Sequence, residues 1–117
     1  MTQQSSPVDP KAVAAAEAEL LNGPARKRAE QILDSLCDPS RLRIVQALRA
    51  TPLTVSELSR VISKTRAATS QHLRVLRGVG AVTAERRGQF VVYSLSENVS
   101  AEVLEGIAGA FDQLRSA

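Results

Sequence analysis

At 117 residues with 44% hydrophobic content, much of it alanine, the chain has room for one small domain with a modest core. Its formal net charge of +3 is too small to define a partner, so the distribution of charge matters more than the total. One Cys and one His exclude an internal disulfide and a four-coordinate soft-metal site within a subunit, and no window approaches the ~18 apolar residues of a membrane span.

Residues 1–8 read as a polar, flexible tail whose start, Met1-Thr2-Gln3-Gln4-Ser5-Ser6-Pro7, has neither a basic leader nor an apolar core, so a cytoplasmic location is expected. Asp9-Pro10 then supplies a cap and a first-turn proline for a helix reaching Leu20 or Leu21, stopped by Asn22-Gly23-Pro24. This segment, 9–23, is set apart as an N-terminal dimerisation helix; residues 24–117 form the main domain. A second helix is expected from about Ala25 to Leu36, with Ala29, Ile32, Leu33 and Leu36 as its apolar stripe. Cys37, at the following junction, reads as a small buried residue. Asp38-Pro39 repeats the cap-and-proline device and opens a third helix with Leu42, Ile44, Val45 and Leu48 inward, on which Arg41 and Arg43 read as solvated or salt-bridged surface cations.

From Leu53 to Ile62 the spacing predicts a short helix: Thr54 and Glu57 have capping-box separation, and Val55, Leu58, Val61 and Ile62 keep helical period. Ser63-Lys64 leaves room only for a tight turn before a second, basic helix ending at Gly78, with Gly78 and Gly80 as left-handed stop positions. With Thr69, His72, Leu73 and Leu76 facing inward, Arg66, Ala67, Ser70, Gln71 and Arg74 fall on the outer face. Ser, Gln and Arg can hydrogen-bond base edges in a major groove, and Ala67 permits close approach. Two strands follow, Ala81 to Arg86 and Phe90 to Leu95, joined by Arg87-Gly88-Gln89, so that Arg86, Arg87 and Gln89 sit at a basic hairpin tip. Ser96 is placed to cap a last helix in which Val99, Val103, Leu104, Ile107, Phe111 and Leu114 recur at three- and four-residue intervals.

Charge follows the same division. Residues 64–89 hold Lys64, Arg66, Arg74, Arg77, Arg86 and Arg87 against Glu85, a net of +5, whereas residues 97–117 hold four acids against Arg115, a net of −3. A basic helix followed by a basic hairpin is the order of parts of a winged helix that grips double-stranded DNA. Thr54 and Ser56, at the start of the positioning helix, are placed to offer hydroxyls and backbone N–H groups to phosphate.

The segments Asp38-Pro39-Ser40-Arg41-Leu42-Arg43-Ile44-Val45, Ser56-Glu57-Leu58, Ser70 to Arg77 and Gly80-Ala81-Val82, followed by a basic hairpin ending in Val92-Tyr93-Ser94-Leu95, resemble the ArsR/SmtB family of bacterial repressors over roughly residues 28 to 115. The resemblance implies a mainly α fold of five to six helices with a small β-hairpin, and a homodimeric winged helix-turn-helix repressor released from DNA by an effector. Metal sensors of that family carry a Glu-Leu-Cys-Val-Cys run where this chain has Glu57-Leu58-Ser59-Arg60-Val61, and others use Asp and His on the last helix, where this chain has no His. No metal or other cofactor is therefore expected.

Val13, Leu20, Leu21, Val103, Ile107, Ala110, Phe111 and Leu114 offer more apolar surface than so small a domain hides alone, which makes the terminal helices the expected dimer interface. Two recognition helices then read an inverted-repeat operator with half-sites one turn apart. The effector, a small molecule or none, is not named by these residues. Two other readings stay open: a repressor sensing oxidants or electrophiles through Cys37, and a winged helix that binds protein instead of DNA. No nucleophile with a base and an orienter, and no Gly-rich phosphate loop, points to an enzyme.

Overall fold

The computed structural model describes residues 7–20 and 23–99, with 106, 107 and 109 in a further helical segment. Helix α1 (Pro10–Ala18) opens on Asp9, whose carboxylate accepts from the Lys11 N–H at 2.9 Å. It stops at Ala18, short of the expected Leu20 or Leu21, and none of its residues is buried. Helix α2 spans Gly23–Leu36, so Gly23, expected as a stop, is instead the first helical residue. Ile32 and Leu36 face the core while Leu33 is half exposed, which narrows the expected stripe.

Helix α3 (Pro39–Leu48) begins as its Asp-Pro signal predicts: the Asp38 carboxylate accepts from the N–H groups of Ser40 and Arg41, and Leu42, Ile44, Val45 and Leu48 are all buried. Strand β1 is only Leu53–Thr54. Thr54 then caps α4 (Val55–Ile62) through a complete capping box with Glu57. Leu58 and Ile62 are fully buried, but Val61, expected inward, is largely exposed. Ser63 takes a left-handed conformation with φ 56°, turning the chain within two residues toward Thr65, the N-cap of α5 (Arg66–Gly78).

Gly78 is the last helical residue of α5 and not the left-handed stop; that conformation falls to Gly80, φ 79°. The wing is β2 (Val82–Arg87) and β3 (Phe90–Leu95), with Arg87 paired to Phe90. The connection is therefore the two residues Gly88-Gln89, one shorter than expected. Positive φ at Gly88 alone, 61°, is the pattern of a type II′ hairpin turn. The sheet order is β1-β3-β2, all antiparallel, with Leu53 opposite Tyr93 and Thr54 opposite Val92.

One core joins these parts: Ile44, Val45, Leu58, Ile62, Leu73, Leu76 and Ala81 are at most 1% exposed, and Ile32, Leu36, Leu42, Leu48, Val82 and Val99 close around them. Each large aliphatic side chain buried there contributes about 1.5–3 kcal/mol. Ile107 packs against this core from within the same chain. Ser96 accepts the Asn98 N–H on its hydroxyl and the Val99 N–H on its carbonyl, forming a turn after the sheet.

Candidate nucleic-acid interface

Helix α5 separates its two faces cleanly. Thr69, Leu73 and Leu76 are buried, and the Thr69 hydroxyl, the one polar group of that stripe, donates to the Thr65 carbonyl at 2.8 Å, so it costs the core no unsatisfied atom. His72 is half-buried at the edge of the stripe. Arg66, Ala67, Ser70, Gln71 and Arg74 are all exposed on the opposite face, and Arg86, Arg87 and Gln89 are exposed on the wing. The structure therefore brings every basic or amide side chain singled out on α5 and the wing to the surface.

Between the helix and the sheet lies a cleft of about 460 Å³ lined by Ser70, Arg74, Arg77, Gly78 and Tyr93. Arg77 and Tyr93 were not among the residues singled out for contact. The signal for Arg77 lay in the wheel: it stands seven residues after Ser70 and three after Arg74 and shares their side of the helix. Tyr93 carried no such signal, because only the pairing of β3 with its neighbours sets which side chains face α5. Phe90, 64% exposed beside the wing tip, was also missed.

The start of α4 is less open than expected. The Thr54 N–H donates to Glu57 Oε1 at 2.9 Å and the Thr54 hydroxyl oxygen accepts the Glu57 N–H at 3.2 Å, so of these groups only the Thr54 hydroxyl proton remains to be donated. Ser56, the second residue of the helix, is exposed in the same first turn. On the wing, Arg87 Nε lies 3.6 Å from Glu85 Oε1; the strand period puts both side chains on one face of β2, with Arg86 on the other.

Arg41 and Arg43 are not simply solvated: each is held by backbone carbonyls. Arg41 Nε donates to the Ser35 carbonyl at 2.7 Å, closing the end of α2, and Arg43 donates to the carbonyls of Val61 and Ile62 at 3.1 and 3.2 Å, closing the end of α4. Partial burial pushes the Asp38 carboxyl upward, but the Arg41 N–H, the charges of His72 and Arg41 and the Ser40 N–H together hold it below its usual value. Cys37, expected to be buried, is exposed. Among the described residues no three His, Cys, Asp or Glu side chains converge on a point that could hold a metal ion, and no helix is long and apolar enough to cross a membrane.

The model of the arsR family of bacterial regulatory proteins matches residues 38–84, from the Asp38 cap through α5 into β2. The chain is 39% identical over 85 residues to the HTH-type transcriptional regulator NmtR of Mycobacterium tuberculosis, covering 73% of this chain and 71% of that one. This chain belongs to the ArsR family. Over 70% of its length it is also 37% identical to the transcriptional repressor SmtB of the same species, of which the match covers 62%. Among solved structures, HlyU from Vibrio cholerae superposes with a TM-score of 0.63 at 31% identity, covering 82% of this chain and all of that one. NolR from Sinorhizobium fredii gives 0.60 at 26% identity over 97% and 99%. The ArsR fold is thus shared by proteins that keep about a third or less of these residues, and the winged helix-turn-helix expected from the sequence is the fold found. The family is one of transcriptional regulators, not enzymes.

Proposed function

We propose that this ArsR-family regulator is a homodimeric repressor that recognises an inverted-repeat operator through α5 and grips the flanking backbone with its wing. The carrying observation is the segregation of α5: Arg66, Ser70, Gln71 and Arg74 lie exposed on one side while Thr69, Leu73 and Leu76 anchor the other in the core. Ser70, Gln71 and Arg74 contact base edges or phosphate in the major groove, with Arg66 at the helix start. Arg86, Arg87 and Gln89 meet backbone at the wing, and Ser56 with the Thr54 hydroxyl meets it at the start of α4. The relatives named as transcriptional regulators and repressors support this reading.

Dimerisation is supported by α1. A nine-residue helix with no buried residue lacks the length and the packing to hold itself in water, so a second surface must cover it. Val13 in α1 and Leu20, two residues past its end, are exposed, and Ile107 is partly so beside the core. Leu21, Val103, Ala110, Phe111 and Leu114, the other proposed interface residues, lie outside the described residues. Selection of duplexes from a random pool by the purified protein tests the whole reading. Enrichment of two inverted half-sites about 10–10.5 base pairs apart, centre to centre, is expected. Recovery of unselected sequence at equal affinity overturns it.

A further inference from the structure

Helix α4 has eight residues, too few to hold its own shape in water, yet α5 can be placed no more accurately than α4 is. Its N-terminus is tied to the sheet: Thr54 is both its cap and the residue of β1 paired with Val92. The last four carbonyls of any α-helix lack intrahelical donors, and here each has a partner. The Ser59 carbonyl accepts the Lys64 N–H at 3.1 Å and the Arg60 carbonyl accepts the Ser63 N–H at 3.3 Å, both from the turn. The Val61 and Ile62 carbonyls accept the two terminal nitrogens of Arg43, from a helix eighteen and nineteen residues earlier. Only Ser63 and Lys64 then separate this end from Thr65, the cap of α5.

We infer that Arg43 is a positioning residue for operator recognition: its guanidinium fixes the end of α4 against α3 and thereby sets the angle at which α5 is presented to DNA. The planar fork matters, since one group spans two consecutive carbonyls in a fixed direction, which a lysine ammonium on a flexible stem does not reproduce. A cation is also favoured by the negative end of the α4 dipole. The inference rests on the proposed reading of α5 as the recognition helix, and its test separates the two.

Arg43→Lys and Arg43→Met are compared with wild type in the full chain, using one duplex selected by the wild-type protein and one unselected duplex of equal length, across a salt series. Ile32→Val, a core change in α2 away from the turn, serves as a stability control. Both Arg43 variants are expected to lose operator affinity by about tenfold, the scale of one mismatched base pair, with unselected duplex affinity and the salt slope unchanged. A slope flattened by about one ion would make Arg43 a direct phosphate contact and overturn the inference. Operator affinity equal to wild type, or a loss that Ile32→Val reproduces at matched melting temperature, overturns it as well. If Arg74→Ala leaves operator affinity untouched, the reading of α5 fails separately, whatever Arg43 does.

Discussion

Thr54 and Glu57 exchange two hydrogen bonds, the Thr54 N–H to the Glu57 carboxylate at 2.9 Å and the Glu57 N–H to the Thr54 hydroxyl at 3.2 Å. The pair satisfies the Thr54 and Glu57 N–H groups at the start of a short helix and, because Thr54 also belongs to β1, joins the sheet to the helix-turn-helix. Thr54→Ala is expected to destabilise the fold by about 1 kcal/mol. Thr54→Ser, which keeps the hydroxyl, should stay close to wild type. Urea midpoints of the two variants check this; equal midpoints for Ala and wild type would show that the cap contributes nothing.

The Arg87–Glu85 pair joins two exposed side chains, and such a pair adds roughly 0–1 kcal/mol to stability. Its larger consequence is for binding. Arg87→Ala is expected to weaken binding to every duplex and to flatten the salt slope by about one ion. Glu85→Ala, which removes a negative charge beside the same arginine, should strengthen binding to all duplexes while leaving sequence preference unchanged. Titrations at several salt concentrations distinguish these outcomes. Both variants moving in one direction would contradict a wing that meets phosphate.

Gly88 turns the wing at φ 61°, and a Cβ there meets nothing within 4 Å, so only backbone conformation opposes substitution. Gly88→Val is expected to cost about 1–3 kcal/mol and Gly88→Asn less, because Asn is among the few residues that primed hairpin turns accept at positive φ. Thermal denaturation of both variants measures the difference. Equal losses would mean that side-chain contact, and not φ, governs the turn.

The parts legible in the sequence are those whose determinants lie within a turn or two of each other. Asp38-Pro39 and Thr54-x-x-Glu57 are local caps, and the buried stripe of Thr69, Leu73 and Leu76 follows from helical period alone. The basic helix ending near Gly78 and the basic hairpin after it already set the order of the parts, and the resemblance of Ser70 to Arg77 and its neighbours added the family. What was not legible depends on partners distant in sequence. Strand β1 has two residues and no period of its own; it exists because β3, nearly forty residues later, pairs with it. Arg41 and Arg43 read as solvated cations because nothing near them reveals that Ser35, Val61 and Ile62 present carbonyls to them. Val61 fits the α4 period yet lies outward, since an eight-residue helix buries a stripe only two residues deep.

Asp38 gives the fold an acid-sensitive element. Its folded-state pKa is held below the usual value, so it contributes stability that is present above the unfolded carboxylate range and is lost as pH falls through the lower, folded value. Asp38→Asn keeps a capping oxygen but has no charge to lose. Between about pH 5 and pH 2 the wild type is expected to lose more stability than this variant, so that their urea midpoints converge toward the acid limit. Parallel midpoint curves over that range would remove Asp38 as the source.

Val13 offers the sharpest test of pairing, because it is the only branched aliphatic residue in α1, whose other apolar positions are alanine apart from Pro10. It is 43% exposed, so a charge placed there meets water in the isolated chain and meets apolar surface only if a second copy covers α1. Val13→Glu should therefore leave the fold of one subunit intact, as judged by its helical signal, while sedimentation shifts from dimer to monomer at micromolar concentration. Linking two half-site readers raises affinity for a double site by up to 10²–10⁴ over a single one when the geometry lets both engage. The variant is accordingly expected to bind the two-half-site duplex at least about tenfold more weakly, yet to bind a single half-site as wild type does. A monomeric variant with undiminished affinity for the double site would show that pairing of subunits has no part in recognition. A wild type already monomeric at that concentration would show that α1 is covered by something other than a second copy of this chain.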